Sequence, residues 1–167
     1  MLIVKHAVYE QLAQIIEIYN QAIPSKCSTG DIVFLKPEER QDWFNSHTAD
    51  KYPIFVAEIA DEMVGWASIS PYRAGRGAFA HTAEISYYVD SKHHRRGIAA
   101  KLLKHAMEQC HILKIKTLVA YIMEHNIASV KLMEKFGFEK WAFLPRIANF
   151  DGKEFNHTIY GKRIVGE

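Results

Sequence analysis

Residues His81 to Leu103, HTAEISYYVDSKHHRRGIAAKLL, impose the strongest constraint on this chain. The β-branched and aromatic run from Ile85 to Val89 reads as a strand. Asp90 to Lys92 turn the chain. A basic, glycine-containing loop, His93 to Gly97, then feeds a helix whose apolar positions are Leu102, Leu103, Ala106, Met107 and Cys110. A strand that passes through such a loop into a helix brings a helix N-terminus to the end of a sheet. The first N–H groups of that helix have no intrahelical partner and carry partial positive charge, so the arrangement is an anion site. Arg95 and Arg96 add full charges beside it. The expected ligand bears phosphate.

The elements on either side define an α/β fold. Leu2 to His6 is a short strand, and Leu12, Ile15, Ile16, Tyr19 and Ala22 recur at helical spacing over Tyr9 to Ala22. Lys26 to Leu35 is irregular. Pro37, with Glu38 and Glu39 behind it, opens a helix that places Trp43 and Phe44 inward and fades near Thr48. Tyr52 to Ala60 and Met63 to Ser70 form a hairpin joined at Asp61-Glu62, and Arg73 to Gly77 is a basic loop. Lys116 to Met123 is apolar enough to lie mid-sheet, buried on both faces. A helix over Ile127 to Phe136 stops at Gly137. Phe138 to Leu144 and Phe155 to Arg163 are the last strands, with Asp151-Gly152 as the turn between them. The order predicts one domain over residues 1–167, a mixed sheet of about seven strands with helices on both faces.

Composition narrows the function. The formal net charge is +2 and the basic residues are dispersed outside His93 to Arg96, which argues against nucleic acid. Neither a signal-peptide core nor an apolar run of membrane-spanning length occurs, so no membrane role is expected and the cytoplasm is the expected compartment. Cys27 and Cys110 lack redox or metal spacing. His93 and His94 are adjacent, a poor geometry for chelating one ion, and no metal is expected.

Two motifs carry a resemblance. His94-Arg95-Arg96-Gly97-Ile98-Ala99 resembles the Gln/Arg-x-x-Gly-x-Gly/Ala pyrophosphate loop of the Gcn5-related N-acetyltransferases. Asn126, Ser129, Leu132 and Gly137-Phe138 resemble their later Asn-small-Leu-Gly-Phe motif. IYNQAI, HTAEISYYV and DGKEFNHTIYGK further resemble the phosphinothricin and methionine sulfoximine acetyltransferase branch, over essentially the whole chain. The resemblance implies the acyl-CoA N-acyltransferase fold, acetyl-CoA as cofactor, a small glutamate-like amine as substrate, direct attack in a ternary complex and a homodimer. A protein N-terminal or polyamine acetyltransferase and a non-catalytic acyl-CoA-binding module are the alternatives.

It also implies roles for residues. Backbone N–H groups of Arg95, Arg96, Gly97, Ile98, Ala99 and Ala100 are expected to wrap the pyrophosphate, with His94 where the family has Gln or Arg. Strand groups at Tyr87, Tyr88 and Val89 are expected to meet the thioester, and Asn126 and Ser129 the pantetheine arm. Tyr87 and Tyr88 point to opposite faces, so one at most is expected at the reacting centre. Glu84 matches the branch's general base, and a carboxylate partly buried in an apolar strand has its pKa raised toward a useful range. Ile85 and Ser86 beside it, and Arg73, Ala74 and Gly75 in the basic loop, are expected around the substrate, Arg73 and Arg76 by bidentate pairing with anionic groups. Thr29 and the loop before Pro37 are expected to close the site. Met133 stands where many members carry a tyrosine that protonates the leaving thiolate.

Overall fold

In the computed structural model, which describes residues 1–164, the chain runs β1 (Leu2–His6), α1 (Leu12–Ala22), α2 (Gln41–Asn45), β2 (Ile54–Ile59), β3 (Glu62–Pro71), β4 (Thr82–Val89), α3 (Ile98–Ile112), β5 (Thr117–Met123), α4 (Ile127–Lys135), β6 (Glu139–Phe150) and β7 (Lys153–Arg163). Positions 165–167 of the expected domain lie outside the described residues. The strands form one sheet in the order β1-β2-β3-β4-β5-β7-β6. Among the described residues only β4 and β5 pair in parallel; every other neighbour is antiparallel. A parallel pair needs a crossover, and α3 supplies it.

Alternation sorts the side chains to two faces. Val64, Ala67, Ile69, Ala83 and Ile85 pack with Leu102, Leu103, Ala106 and Cys110 of α3 and Met133 of α4. Val56, Met63 and Trp66 face the other way, against Ile15, Ile16 and Tyr19 of α1, with Trp43 and Phe44 of α2 beside them. Helices therefore cover both faces. Each fully buried Leu or Ile contributes about 1.5–3 kcal/mol of transfer free energy. Gly65 allows α3 to close on the sheet: a Cβ there would stand 2.9 Å from the Tyr88 carbonyl oxygen and 3.2 Å from Ile98 Cγ2.

The structure moves several boundaries. The helix expected from Tyr9 begins with a 3₁₀ turn, Tyr9–Gln11, and that expected from Pro37 is a 3₁₀ turn, Pro37–Arg40, followed by the short α2. The β2–β3 turn sits one residue early, at Ala60 and Asp61, with φ of 51° and 63°. Positive φ at both central residues matches the right-handed twist of the strands. Strand β6 runs past Leu144 to Phe150. Pro145 does not end it, because the register slips between Leu144 and Ala148 with Arg146 at φ 52°, so a bulge absorbs the missing donor.

Candidate active site

Strands β4 and β5 pair only through Thr82↔Thr117, Ala83↔Leu118 and Glu84↔Val119. Beyond Glu84 they diverge, and the rest of β5 pairs with β7 alone on its other side. The divergence opens a cleft through the sheet and leaves the Ile85–Val89 edge of β4 without a β5 partner. A cavity of about 560 Å³ fills it, within the usual range for small-molecule sites.

The loop beyond β4 forms one end of this cavity. Arg95 and Gly97 hold φ of 61° and 78°, and Gly97 is the N-cap of α3. The first α-helical bond is Lys101 N–H to the Gly97 carbonyl, at 3.0 Å, and no side chain caps this end. The N–H groups of Ile98, Ala99 and Ala100 thus lack intrahelical partners, and all three residues line the cavity. Helix α4 differs: the Asn126 side chain accepts from Ser129 N–H at 3.2 Å. A Cβ on Gly97 would meet nothing within 4 Å, so the glycine keeps a concave approach to the uncapped helix end open.

Loop and helix are tied to their neighbours. Asp90 accepts from Lys92 N–H at 2.8 Å and from Gln21 Nε2 at 3.0 Å, while Gln21 Oε1 accepts from Ser91 N–H at 2.8 Å. One α1 amide therefore clamps the start of the loop. His94 Nε2 donates to the Val89 carbonyl at 2.9 Å and fixes the loop to the end of β4.

Residues 26–31 roof the cavity. His125 Nε2 donates to the Lys26 carbonyl at 2.8 Å, Asn126 Nδ2 donates to Ser28 Oγ at 3.3 Å, and Lys26 pairs with Asp151 at the β6–β7 turn. On the α1 side the Tyr19 hydroxyl lies 2.5 Å from Thr29 Oγ1 and donates to Asp31, and burial pushes its pKa up to about 12. Tyr88 donates to the Ser28 carbonyl at 3.4 Å. Thr29 lines the cavity as expected, whereas residues 32–36, the loop before Pro37 expected to close over it, do not.

Glu84 sits where pairing ends. Burial holds its carboxyl above the ordinary range, against an opposing hydrogen bond from Ser86 Oγ to Oε1 at 3.4 Å. Glu84 itself does not line the cavity, whose wall begins at its neighbours Ile85 and Ser86.

Of the predicted residues, Ile85, Ser86, Tyr87, Tyr88, Val89, His94, Arg95, Gly97, Ile98, Ala99, Ala100, Asn126 and Ser129 line the cavity. Tyr87 and Tyr88 lie on opposite faces, yet both reach it, because the cleft passes through the sheet. Arg96 is exposed and outside the lining. Arg73, Ala74 and Gly75 also lie outside it; Arg73 stacks on Tyr72 at 5.4 Å and its charge acts on Tyr121. Met133 is fully buried, while its neighbour Leu132 lines the cavity. The Met133 side chain therefore does not reach the cleft. Gln21, Tyr121, Lys135 and His157 line it without having been singled out in the sequence. His157 stacks on Tyr121 (centroids 5.9 Å apart, 14° between planes) through the β5–β7 pairing. That long-range pairing left no local signal.

Known proteins share this fold. The acetyltransferase (GNAT) family profile matches residues 12–138. This chain belongs to that family. The YwnH protein of Bacillus subtilis (strain 168) is 36% identical to this acetyltransferase over 159 residues, covering 95% of this chain and 96% of its own. The L-methionine sulfoximine/L-methionine sulfone acetyltransferase of Pseudomonas paraeruginosa is 30% identical, over 93% of this chain and 91% of its own. The phosphinothricin N-acetyltransferase of Streptomyces coelicolor is 33% identical, over 96% and 95%. A Salmonella typhimurium structure described with its cofactor acetyl-CoA has a TM-score of 0.92 at 25% identity, covering 99% of this chain and 95% of that one. Acetyl-CoA is accordingly the cofactor of this acetyltransferase, and the residues present suit it. The uncapped α3 N-terminus and open Gly97 cradle match a pyrophosphate. The unpaired β4 edge matches an amide-bearing arm. The buried Tyr87 hydroxyl faces Ser129 without a well-formed hydrogen bond, leaving a donor at the cavity wall. Among the described residues no group of three or more His, Cys, Asp or Glu is placed to hold a metal ion. None of the helices described is long and apolar enough to cross a membrane.

Proposed function

We propose that this acetyltransferase acetylates the amino group of a small amino-acid-like substrate of the methionine sulfoximine, methionine sulfone or phosphinothricin type, by direct attack in a ternary complex. The observation that carries the reading is the end of β4–β5 pairing at Glu84. It makes a partly buried carboxyl and the unpaired edge of β4 neighbours along one cleft. Acetyl-CoA, when bound, supplies an activated acetyl group.

The chain's own residues do the rest. N–H groups from Arg95 to Ala100 hold the pyrophosphate, and Gln21, Asp90 and His94 hold that loop in place. Glu84 takes the ammonium proton, directly or through one water held by Ser86; burial raises its proton affinity. N–H donors on the Ile85–Val89 edge meet the carbonyl oxygen as charge develops on it. Asn126 caps α4 and anchors the roof, and through both it shapes the channel for the pantetheine arm. Arg73, with Ala74 and Gly75 in its loop, supplies the cation for a substrate carboxylate at the Tyr121 side. The leaving thiolate departs without a donor from position 133.

We also propose a cytoplasmic homodimer. Both cysteines are free, which suits a reducing compartment. Trp141, Phe143 and Ile147 on the edge strand β6, and Ile32, Val33 and Phe34 beyond the roof, are 46–71% exposed, more apolar surface than a lone chain usually leaves on an edge.

A thiol-release assay with acetyl-CoA and a panel of amines tests the activity. Turnover is expected with methionine sulfoximine, methionine sulfone or phosphinothricin. No turnover with these three, alongside turnover of polyamines or peptide N-termini, would refute the substrate class.

A further inference from the structure

The face of the sheet that carries Glu84 also carries a polar chain with no part in the mechanism so far. Ser70 on β3 lies opposite Glu84 on β4, just as Ser68 lies opposite Ser86. Cβ atoms of such pairs are about 5 Å apart, close enough for one water to bridge a hydroxyl and a carboxyl. Ser70 Oγ is 2.9 Å from His47 Nε2, and His47 Nδ1 is 2.7 Å from the Trp43 carbonyl. A carbonyl only accepts, so Nδ1 carries the proton, and Nε2 accepts from Ser70. Ser46, exposed at the end of α2, has its hydroxyl 3.3 Å from His47 Nδ1. Glu84, Ser70 and His47 thus run from the base toward the surface at Ser46, whose hydroxyl donates to the same Trp43 carbonyl at 2.7 Å.

We infer that Ser70 and His47 conduct the proton taken up by Glu84 out to solvent, which rests on Glu84 being the base. The ammonium N–H bond breaks and an O–H bond forms on Glu84. Glu84 then donates through one bridging water to Ser70 Oγ, Ser70 donates its own proton to His47 Nε2, and the Nδ1 proton leaves to solvent at the exposed end of α2. Each group ends with the number of protons it began with once the imidazole returns to its starting tautomer. The groups facing His47 are Arg40 before α2, Ser70 on β3 and, beyond it, Glu84 on β4. Burial, with Arg40 adding, lowers the proton affinity of the imidazole against the opposing bond to Trp43, which favours release of a proton it takes up.

The test measures kcat of the whole protein with acetyl-CoA and an accepted amine at rising imidazole concentration. The wild type is expected to be indifferent to imidazole. His47→Ala should lose at least about tenfold in dilute buffer and regain it with imidazole, each substrate's KM staying within about twofold. His47→Gln, which keeps a hydrogen bond to Ser70, should behave as His47→Ala does. Unchanged kcat in His47→Ala, a loss that imidazole does not relieve, or full activity in His47→Gln would each overturn the relay. Glu84→Gln, run alongside, separates the two ideas: full activity there refutes Glu84 as base, whereas loss there with none in His47→Ala refutes the relay alone. Independently of turnover, the NMR titration of His47 should move to lower pH in Glu84→Gln. An unmoved titration means the two groups are uncoupled and also overturns the relay.

Discussion

Gly97→Ala, compared with Gly152→Ala, separates a cofactor cradle from a mere turn. Both glycines hold positive φ, 78° and 84°, and at both a Cβ would meet nothing within 4 Å. The folding penalty is therefore the left-handed strain of an L-residue alone, about 1–2 kcal/mol in each variant. For a chain of this length that lowers Tm by roughly 2–8 °C, read by calorimetry or thermal melting. The sites differ in surroundings: Gly97 lines the cavity at the uncapped end of α3, and Gly152 lies in the β6–β7 turn outside the lining. A methyl at 97 occupies the space through which a phosphate approaches the N–H groups of Ile98 to Ala100. KM for acetyl-CoA in Gly97→Ala should rise at least about tenfold, or ~1.4 kcal/mol, with kcat at saturation little changed. Gly152→Ala should keep the wild-type KM. Equal Tm losses with equal KM values would refute the cradle, since strain would then be the glycine's whole role.

Three further outcomes are expected. Glu84→Gln should lower kcat by about 10²–10⁴, or ~2.7–5.5 kcal/mol in the barrier. Its stability should follow the opposite sign: burial raises the carboxyl above its ordinary 4.5, so the wild type is favoured below 4.5 and loses that advantage as pH rises through the folded value. Glutamine never ionises, so the variant should match the wild type in acid and melt no lower at pH 7; a lower Tm at pH 7 alone would contradict this. Gly65→Ala should destabilise by about 1–3 kcal/mol in urea titration, because its Cβ would press on the Tyr88 carbonyl at 2.9 Å. Gln21→Ala removes two hydrogen bonds to the cofactor loop, each worth about 0.5–1.5 kcal/mol, and should raise KM for acetyl-CoA while leaving KM for the amine unchanged.

The chain's own order of residues determined a good deal. The alternation of Ile85 to Val89, the glycine before IAAKLL and the apolar run Lys116 to Met123 each state a local period or turn, and these placed the sheet, its crossover helix and the anion end of the cleft. Glu84 was singled out by its match to the branch's general base, and the fold sets it where β4–β5 pairing ends. Tertiary structure decided what depends on distant segments meeting. Where β4 parts from β5 depends on how β5 pairs with β7, so neither strand encodes the cleft alone. The strand expected to end at Leu144 runs on to Phe150 because the β7 register accommodates a bulge. Tyr121 and His157 meet only through strand pairing, and Gln21 reaches Asp90 across 69 positions. Met133 pointed to a missing donor, but only packing showed its side chain turned fully into the core. His47 looked like a residue on a fading helix; its hydrogen bond to Ser70, and Ser70's place opposite Glu84, exist only in three dimensions. Local periodicity is written in neighbouring residues, whereas a site assembled across strands is written in pairings that no single stretch contains.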